Sequence, residues 1–142
     1  MINSNNQGGI TVEIKNMLTE FFNNEETILL AILYGSFAAG RETNRSDVDI
    51  AIAGHSLFHP EQIMELNLKL SKLLEREVDL IDLNNAGGTI LTQILTTGTL
   101  IKKQDTNLYA SLIKKMLYFE EDMAANIRYI LKYRQENFLN AI

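Results

Sequence analysis

The chain has 142 residues, no cysteine, 22% charged residues and a formal net charge of −5 at pH 7. This length predicts a single domain, and the lack of cysteine excludes a disulfide framework, a thiol nucleophile and Cys-ligated zinc. The acidic balance argues against nonspecific nucleic-acid binding, because neutralising backbone phosphates requires a basic surface.

Apolar periodicity divides the chain into alternating helices and strands. Helical spacing predicts helices over 10–22, 60–74, 89–95 and 107–139. Short apolar runs predict strands over 27–34, 47–53, 78–83 and 99–102. We therefore expect an α/β (α+β) fold with a mixed sheet of about four strands flanked by helices, followed by a C-terminal helix roughly 50 Å long.

The N-terminal segment is polar and rich in asparagine, without a basic start or an apolar stretch. We therefore expect no signal peptide. No apolar run approaches the ~18 residues that a membrane-spanning helix needs, so we expect no membrane partner. The lack of cysteine fits a cytoplasmic protein.

Two aspartates lie in the second predicted strand, in the segment DVDIAIA. Because side chains alternate along a strand, Asp47 and Asp49 point to one face, about 6–7 Å apart. Aspartate is disfavoured in strands, so two aspartates in one short apolar run lower its stability unless another interaction offsets the cost. A pair of Mg²⁺ ions beside a nucleotide triphosphate requires such carboxylates and supplies positive charge.

A Gly-Ser pair follows the first predicted strand. Gly35 permits a turn that a larger side chain would crowd, and Ser36 can cap a short helix and bind a phosphate with its hydroxyl and nearby N–H groups. Gly40 ends this turn. Alone, a Gly-Ser pair is most often a plain helix cap. Here it lies between an apolar strand and the strand that carries Asp47 and Asp49, and this arrangement indicates a nucleotide site. The P-loop pattern GxxxxGK[ST] is absent.

A third carboxylate would complete the site. Asp79 and Asp82 differ by three positions in the strand VDLIDL, so they face opposite sides and only one can join the Asp47/Asp49 face. We choose Asp79, because Asp82 lies near the strand end. A third acid there could bind the metal nearer the nucleophile and help to deprotonate it. The alternative is a surface-facing acid.

The segment LYGSFAAGRETNRSDVDIAI resembles the GSx10DxD motif of the DNA polymerase β-like nucleotidyltransferase superfamily. It is most similar to the minimal nucleotidyltransferase (MNT) antitoxins, which pair with HEPN-domain ribonuclease toxins in type VII systems. The resemblance implies Mg²⁺-dependent transfer of AMP from ATP to a tyrosine hydroxyl of the toxin. It matches Gly35 and Ser36 to the phosphate-holding pair, and it matches Asp47, Asp49 and Asp79 to the metal-binding and catalytic acids.

One position departs from that group. Many members read GSxARG, whereas Ala39 stands here in place of the arginine. Arg41 or Arg45 would then bring positive charge to the triphosphate, with Ser46 also in the nucleotide site. Two alternatives stay open: an antitoxin that neutralises its toxin by binding alone, and an aminoglycoside-type nucleotidyltransferase. The short chain disfavours the second, because such relatives add a domain that holds the small molecule.

Residues 1–104 would form the catalytic core, and residues 105–142 a C-terminal helix used for packing and for docking a partner. The apolar stripe around Met116, Phe119 and Met123 suits either use. A protein substrate brings its own docking surface, which suits so short a chain. We therefore expect a hetero-oligomer with a HEPN toxin and no direct nucleic-acid contact.

Overall fold

The structure is a computed structural model that describes residues 5–43 and 46–140. Its helices and strands, in chain order, are α1 (Asn5–Asn23), β1 (Leu30–Tyr34), β2 (Val48–Ala53), α2 (Pro60–Leu74), β3 (Val78–Asp82), α3 (Gly88–Thr97), β4 (Thr99–Lys103) and α4 (Thr106–Asn140). A short 3₁₀ turn, Leu83–Asn85, connects β3 to α3. The expected α/β fold with a four-stranded mixed sheet and a long C-terminal helix is confirmed.

Two predicted boundaries differ from those of the structure by three residues or more. The first helix begins at Asn5 rather than at residue 10, because backbone hydrogen bonds continue a helix beyond the part that carries an apolar stripe. The first strand begins at Leu30 rather than at residue 27. The N–H of Ile28 bonds the carbonyl of Glu25, so the chain is still turning out of α1 at that point.

The sheet order is β3-β2-β1-β4. Strand β1 runs antiparallel to both β2 and β4, whereas β2 and β3 are parallel and are joined through α2. A parallel pair needs such a crossover, and a helix is its usual form. This register places Tyr34 opposite Asp49, and Asp49 opposite Asp79, so the three residues form one row across the sheet.

The two faces of the sheet support separate apolar clusters. Helices α1 and α2 cover one face, where Leu18, Phe22 and Leu70 are fully buried. Helix α3 and the first turns of α4 cover the other, with Leu91 and Leu112 buried. The carboxylate row lies on this second face, beyond the end of the apolar cluster to which Tyr34 belongs.

Helix α4 has two dissimilar parts. Leu112 and Met116 are buried against the second face of the sheet. From Glu120 to Asn137 every side chain is exposed. Helix packing therefore ends about one third of the way along α4. No helix in residues 5–43 and 46–140 is long and apolar enough to cross a membrane. The division of the chain at residue 104 stays a prediction.

Candidate active site

Three carboxylates meet at one end of the sheet. Asp49 lies inside β2 and pairs directly with Asp79 of the parallel neighbour β3. Adjacent strands are about 4.8 Å apart, so residues paired in this way are close neighbours. Asp47 lies immediately before the first residue of β2, two positions before Asp49, so the two residues share one face of the strand. Asp49 is half-buried, whereas Asp47 and Asp79 are exposed, so the group opens to solvent.

The negative charges of these aspartates act on one another. Burial raises the pKa of the Asp49 carboxyl, and the charges of Asp79 and Asp47 raise it further. In the described part of the chain, none of the three carboxylates has a Lys, Arg or His nitrogen within 4.0 Å. Among residues 5–43 and 46–140 the fold therefore gathers negative charge without a cation in contact with it, which favours the binding of a cation.

Gly35 is the residue that lets the Asp49 carboxylate occupy its position. Its φ is +74°, a left-handed conformation that costs other residues energy. A Cβ atom built on Gly35 would lie 2.1 Å from Oδ2 of Asp49 and 3.1 Å from Cγ. The carboxylate therefore fills the space that a side chain at position 35 would take, which links the Gly-Ser pair physically to the aspartate pair.

The segment after Gly35 forms a single turn, not the short helix that the sequence predicts. The N–H of Ala39 donates to the carbonyl of Gly35 at 3.1 Å, and the N–H of Arg41 donates to the carbonyl of Ser36 at 2.9 Å. Gly40, with φ +70°, allows the second bond and ends the turn as expected. N–H groups at the start of such a turn have no partner within it, so they are available to an anion.

Two of the three remaining predicted nucleotide ligands, Arg41 and Ser46, are among the described residues. The Arg41 and Ala39 side chains are exposed. Arg45 lies outside the described residues. The Ser46 hydroxyl accepts a hydrogen bond from the N–H of Thr43 at 2.7 Å and lies 3.2 Å from the Thr43 hydroxyl. Ser46 therefore binds its own loop, and its contact with a nucleotide stays a prediction.

Arg76 organises both segments that lead to the aspartates, and sequence reasoning missed it. Its guanidinium lies 5.3 Å from the centre of the Phe37 ring, within the turn that follows Ser36. It also donates to the carbonyls of Thr43, at 3.3 Å, and Ser46, at 3.4 Å. No sequence motif marks Arg76, because these partners come from segments thirty or more residues away.

Glu42 attaches the same loop to α1. It is the one buried charged side chain among the described residues, and its carboxylate accepts a hydrogen bond from the Thr11 hydroxyl. This bond lowers the pKa of the Glu42 carboxyl. The other oxygen, Oε2, has no hydrogen-bond partner within residues 5–43 and 46–140. The loop before Asp47 is thus held to α1 by Glu42 and to the connection between α2 and β3 by Arg76.

Tyr34 is a second residue of the site that sequence reasoning missed. It ends β1 directly opposite Asp49 and is almost fully buried. Burial raises the pKa of its phenol to about 12, and the charges of Asp79 and Asp49 act in the same direction. The phenol is therefore neutral at every pH at which a nucleotide enzyme works.

We expect one of the five tyrosines to ionise near pH 12 in an ultraviolet titration of the folded chain, and Tyr34→Phe to remove that step. The unfolded chain releases this proton near pH 10 and the folded chain does not, so the free energy of unfolding falls between pH 10 and about 12. Tyr129→Phe is the matched control, since Tyr129 is 71% exposed. Loss of the ionisation near pH 12 in Tyr129→Phe but not in Tyr34→Phe would contradict its assignment to Tyr34.

The Asp82 carboxylate is hydrogen-bonded to the backbone of the fold, whereas Asp79 belongs to the group of three carboxylates. Oδ2 of Asp82 accepts from the N–H of Phe58 and its Oδ1 from the N–H of Asn84, both at 2.9 Å. It pairs with Ile52, on the face that α1 and α2 cover. The structure therefore separates the two acids, and only Asp79 joins Asp49.

We expect Asp82→Asn to destabilise the fold by about 1–3 kcal/mol, because an amide can accept with only one of its two terminal atoms and leaves one N–H unpaired. Urea unfolding monitored by circular dichroism measures this loss. Unchanged stability would show that water replaces the lost acceptor.

Bound metal would need ligands beyond the protein. The described residues contain no group of three or more His, Cys, Asp or Glu side chains that could hold a metal ion. Mg²⁺ commonly uses one or two carboxylates and completes its octahedron with phosphate oxygens and water. Asp47 and Asp49 fit that role, because Gly35 leaves room for the Asp49 carboxylate and the charges of Asp79 and Asp47 raise its pKa. The assignment of metal ligands stays a prediction.

Comparison with known proteins gives consistent matches. The family described as polymerase beta, nucleotidyltransferase matches residues 16–107. Protein adenylyltransferase MntA from Shewanella oneidensis is 34% identical over 83 residues, which are 57% of this chain and 60% of MntA. The match thus spans less than two thirds of the length of MntA.

Solved structures share the fold over nearly their whole length. A chain of a toxin–antitoxin crystal structure with AMP-PNP superposes with a TM-score of 0.69 at 24% identity, covering 85% of this chain and 98% of that chain. A chain from the complex of tri-AMPylated Shewanella oneidensis HEPN toxin with MNT antitoxin superposes with a TM-score of 0.60 at 26% identity, covering 88% and 98%.

Proposed function

Because this chain belongs to the polymerase beta, nucleotidyltransferase family, we propose that it is an antitoxin that transfers AMP from ATP to a tyrosine hydroxyl of a HEPN-type ribonuclease toxin and so inactivates it. The observation that carries this proposal is the pairing of Asp49 with Asp79, beside Gly35, whose missing side chain leaves the space that the Asp49 carboxylate fills. Relatives support the choice of substrate, since MntA is named a protein adenylyltransferase.

The reaction is a displacement at the α-phosphorus of ATP. The tyrosine oxygen forms a bond to that phosphorus, and the bond to the oxygen that bridges the α- and β-phosphates breaks. Pyrophosphate leaves with the bonding electrons. The phenol proton passes to a base, and the Asp79 carboxylate suits this role because it is exposed and adjacent to Asp49. The products are tyrosyl-AMP and pyrophosphate.

The chain's own residues position the nucleotide. N–H groups of the turn that begins at Gly35, with the Ser36 hydroxyl, would bind phosphate oxygens, and Arg41 would approach from the end of that turn. Asp47 and Asp49 would hold Mg²⁺, two ions in the complete site, which neutralises the phosphate charge and the leaving pyrophosphate. Arg76 is a positioning residue, because it acts through Phe37 and the 43–46 loop.

The partner follows from the relatives. One solved relative is a toxin–antitoxin structure with AMP-PNP, and another contains a tri-AMPylated HEPN toxin with its MNT antitoxin. We infer that this chain acts on a HEPN toxin in the cytoplasm, where ATP is abundant. A small adjacent open reading frame with an RxxxxxH-like ribonuclease motif would identify the partner to use in experiments.

The direct test uses that purified partner, Mg²⁺ and α-labelled ATP. We expect label on a tyrosine of the partner with the wild-type chain, and at least a 10²-fold lower rate with Asp47→Asn/Asp49→Asn. Asp82→Asn serves as the control, since its carboxylate contacts only backbone N–H groups in the described structure. An unlabelled partner, or equal labelling by the double variant, would overturn the proposal.

A second function is favoured by Ala39. Many MNT relatives carry arginine at this position of the turn, and here the exposed side chain is a methyl group. An antitoxin that neutralises its toxin by contact alone would tolerate this change. It predicts that the folded Asp47→Asn/Asp49→Asn variant still protects cells that express the toxin. Loss of protection with retained binding would favour the enzyme.

A further inference from the structure

The exposed part of α4 carries an apolar stripe that nothing in the described chain covers. Met123, Ile127, Ile130 and Leu131 recur at helical spacing and are 42–60% exposed. The stripe continues the face that carries the buried Leu112 and Met116. A single helix of this length is marginal in water, and a patch of this kind marks an interaction surface.

A groove extends this stripe onto the body of the protein. It has a volume of about 280 Å³ and lies between α3 and α4. Its lining is formed by residues of both helices: Thr89 and Thr92 from α3, and Phe119, Glu120, Met123, Ala124 and Ile127 from α4. An apolar helix lying along α4 would therefore contact α3 as well as the stripe.

Charge is distributed unevenly on either side of the stripe. Glu120, Glu121 and Asp122 precede its centre, whereas Arg128, Lys132 and Arg134 follow it. Ile127 lies midway: Glu120 is seven residues before it and Arg134 seven residues after. A helix with this pattern is complementary to itself when it is turned end to end, and a parallel copy would oppose like charges.

We propose that the exposed half of α4 pairs antiparallel with the same segment of a second copy of this chain, with Ile127 opposite Ile127. At 1.5 Å per residue, Glu120 of one copy lies level with Arg134 of the other, and both are on the Ile127 face because each is seven residues from Ile127. Met123 packs near Ile130 of the second copy. The same contacts occur twice, as a two-fold interface requires. This pairing leaves the aspartate site, at the end of the sheet, to the toxin.

The test uses two charge-reversal variants of the full chain. One carries Glu120→Lys, and the other carries Arg134→Glu. We expect sedimentation velocity to show a dimer for wild type and a monomer for either variant alone. An equimolar mixture should form a dimer again, because each altered segment then faces its complement. In a parallel pair the wild type would already oppose like charges, so a wild-type dimer that each variant alone loses and that mixing restores indicates the antiparallel pairing.

Two lysine substitutions, one in the stripe and one on the opposite side of α4, test which face of the helix forms the interface. Ile127→Lys should raise the dimer dissociation constant at least tenfold, whereas Tyr129→Lys, on the opposite side of the helix, should leave it within about twofold. Circular dichroism verifies that both variants fold. A monomeric wild type at high micromolar concentration, or a mixture that stays monomeric, overturns the proposal. Wild type that is monomeric but binds the toxin through this stripe would show the toxin to be its occupant instead.

Discussion

Asp49→Asn is expected to lower AMP transfer by about 10²-fold or more and at the same time to raise the melting temperature of the nucleotide-free protein. The carboxylate is half-buried beside two others, and among the described residues no cation lies within 4.0 Å of it. Removing its charge relieves repulsion from Asp79 and Asp47. The same removal takes away a group that would hold the metal and the triphosphate.

The dependence on pH follows from the raised pKa of Asp49. The folded chain holds the proton more tightly than the unfolded chain, so the contribution to stability is present at low pH and is lost as pH rises through the folded-state pKa. The gain in melting temperature from Asp49→Asn should therefore be largest at neutral pH and should vanish in acid. Calorimetry of both proteins across this range measures it.

Asp82→Asn is the matched control for Asp49→Asn, because it makes the same chemical change three residues from Asp79 on the same strand. Its carboxylate accepts two backbone hydrogen bonds, so the substitution should lower the melting temperature and spare activity. Opposite shifts in the two variants would separate a functional carboxylate from a structural one. A lower melting temperature in both would refute the electrostatic account of Asp49.

Gly35→Ala is expected to destabilise the fold and to reduce AMP transfer by about 10²-fold. Left-handed backbone costs a non-glycine residue about 1–2 kcal/mol. The added Cβ would also lie 2.1 Å from Oδ2 of Asp49, so the carboxylate must move. A displacement of about 1 Å at a catalytic group can cost about 10²-fold in rate.

Comparison with Gly40→Ala separates the contact of the added Cβ atom with the Asp49 carboxylate from the cost of left-handed backbone. Gly40 has almost the same φ, +70°, but no atom lies within 4 Å of the Cβ that would be added. Both variants should be less stable because alanine is strained in left-handed backbone, and urea unfolding measures this loss. Only Gly35→Ala should also lose AMP transfer per folded molecule. Equal activities would show that the Asp49 carboxylate moves aside without consequence.

Local sequence predicted the elements well, because periodicity and chain-breaking residues act over short distances. Helix α2 has the predicted limits, Pro60 to Leu74, since its proline begins a helix and its leucines repeat at helical spacing. The alternation of Asp47 and Asp49 likewise needed only the two-residue repeat of a strand. Where the chain curls without a periodic stripe, after Ser36, the predicted helix shortened to one turn.

The sequence by itself determined the α/β order of elements, the two aspartates on one face and the glycine turn before them. Only the tertiary structure decided that β3 runs parallel to β2 in the register that sets Asp79 beside Asp49, that the Asp49 carboxylate lies against Gly35, and that Arg76 reaches Phe37. These contacts join residues from separate segments. They depend on strand pairing and packing across the whole sheet, which no local pattern records.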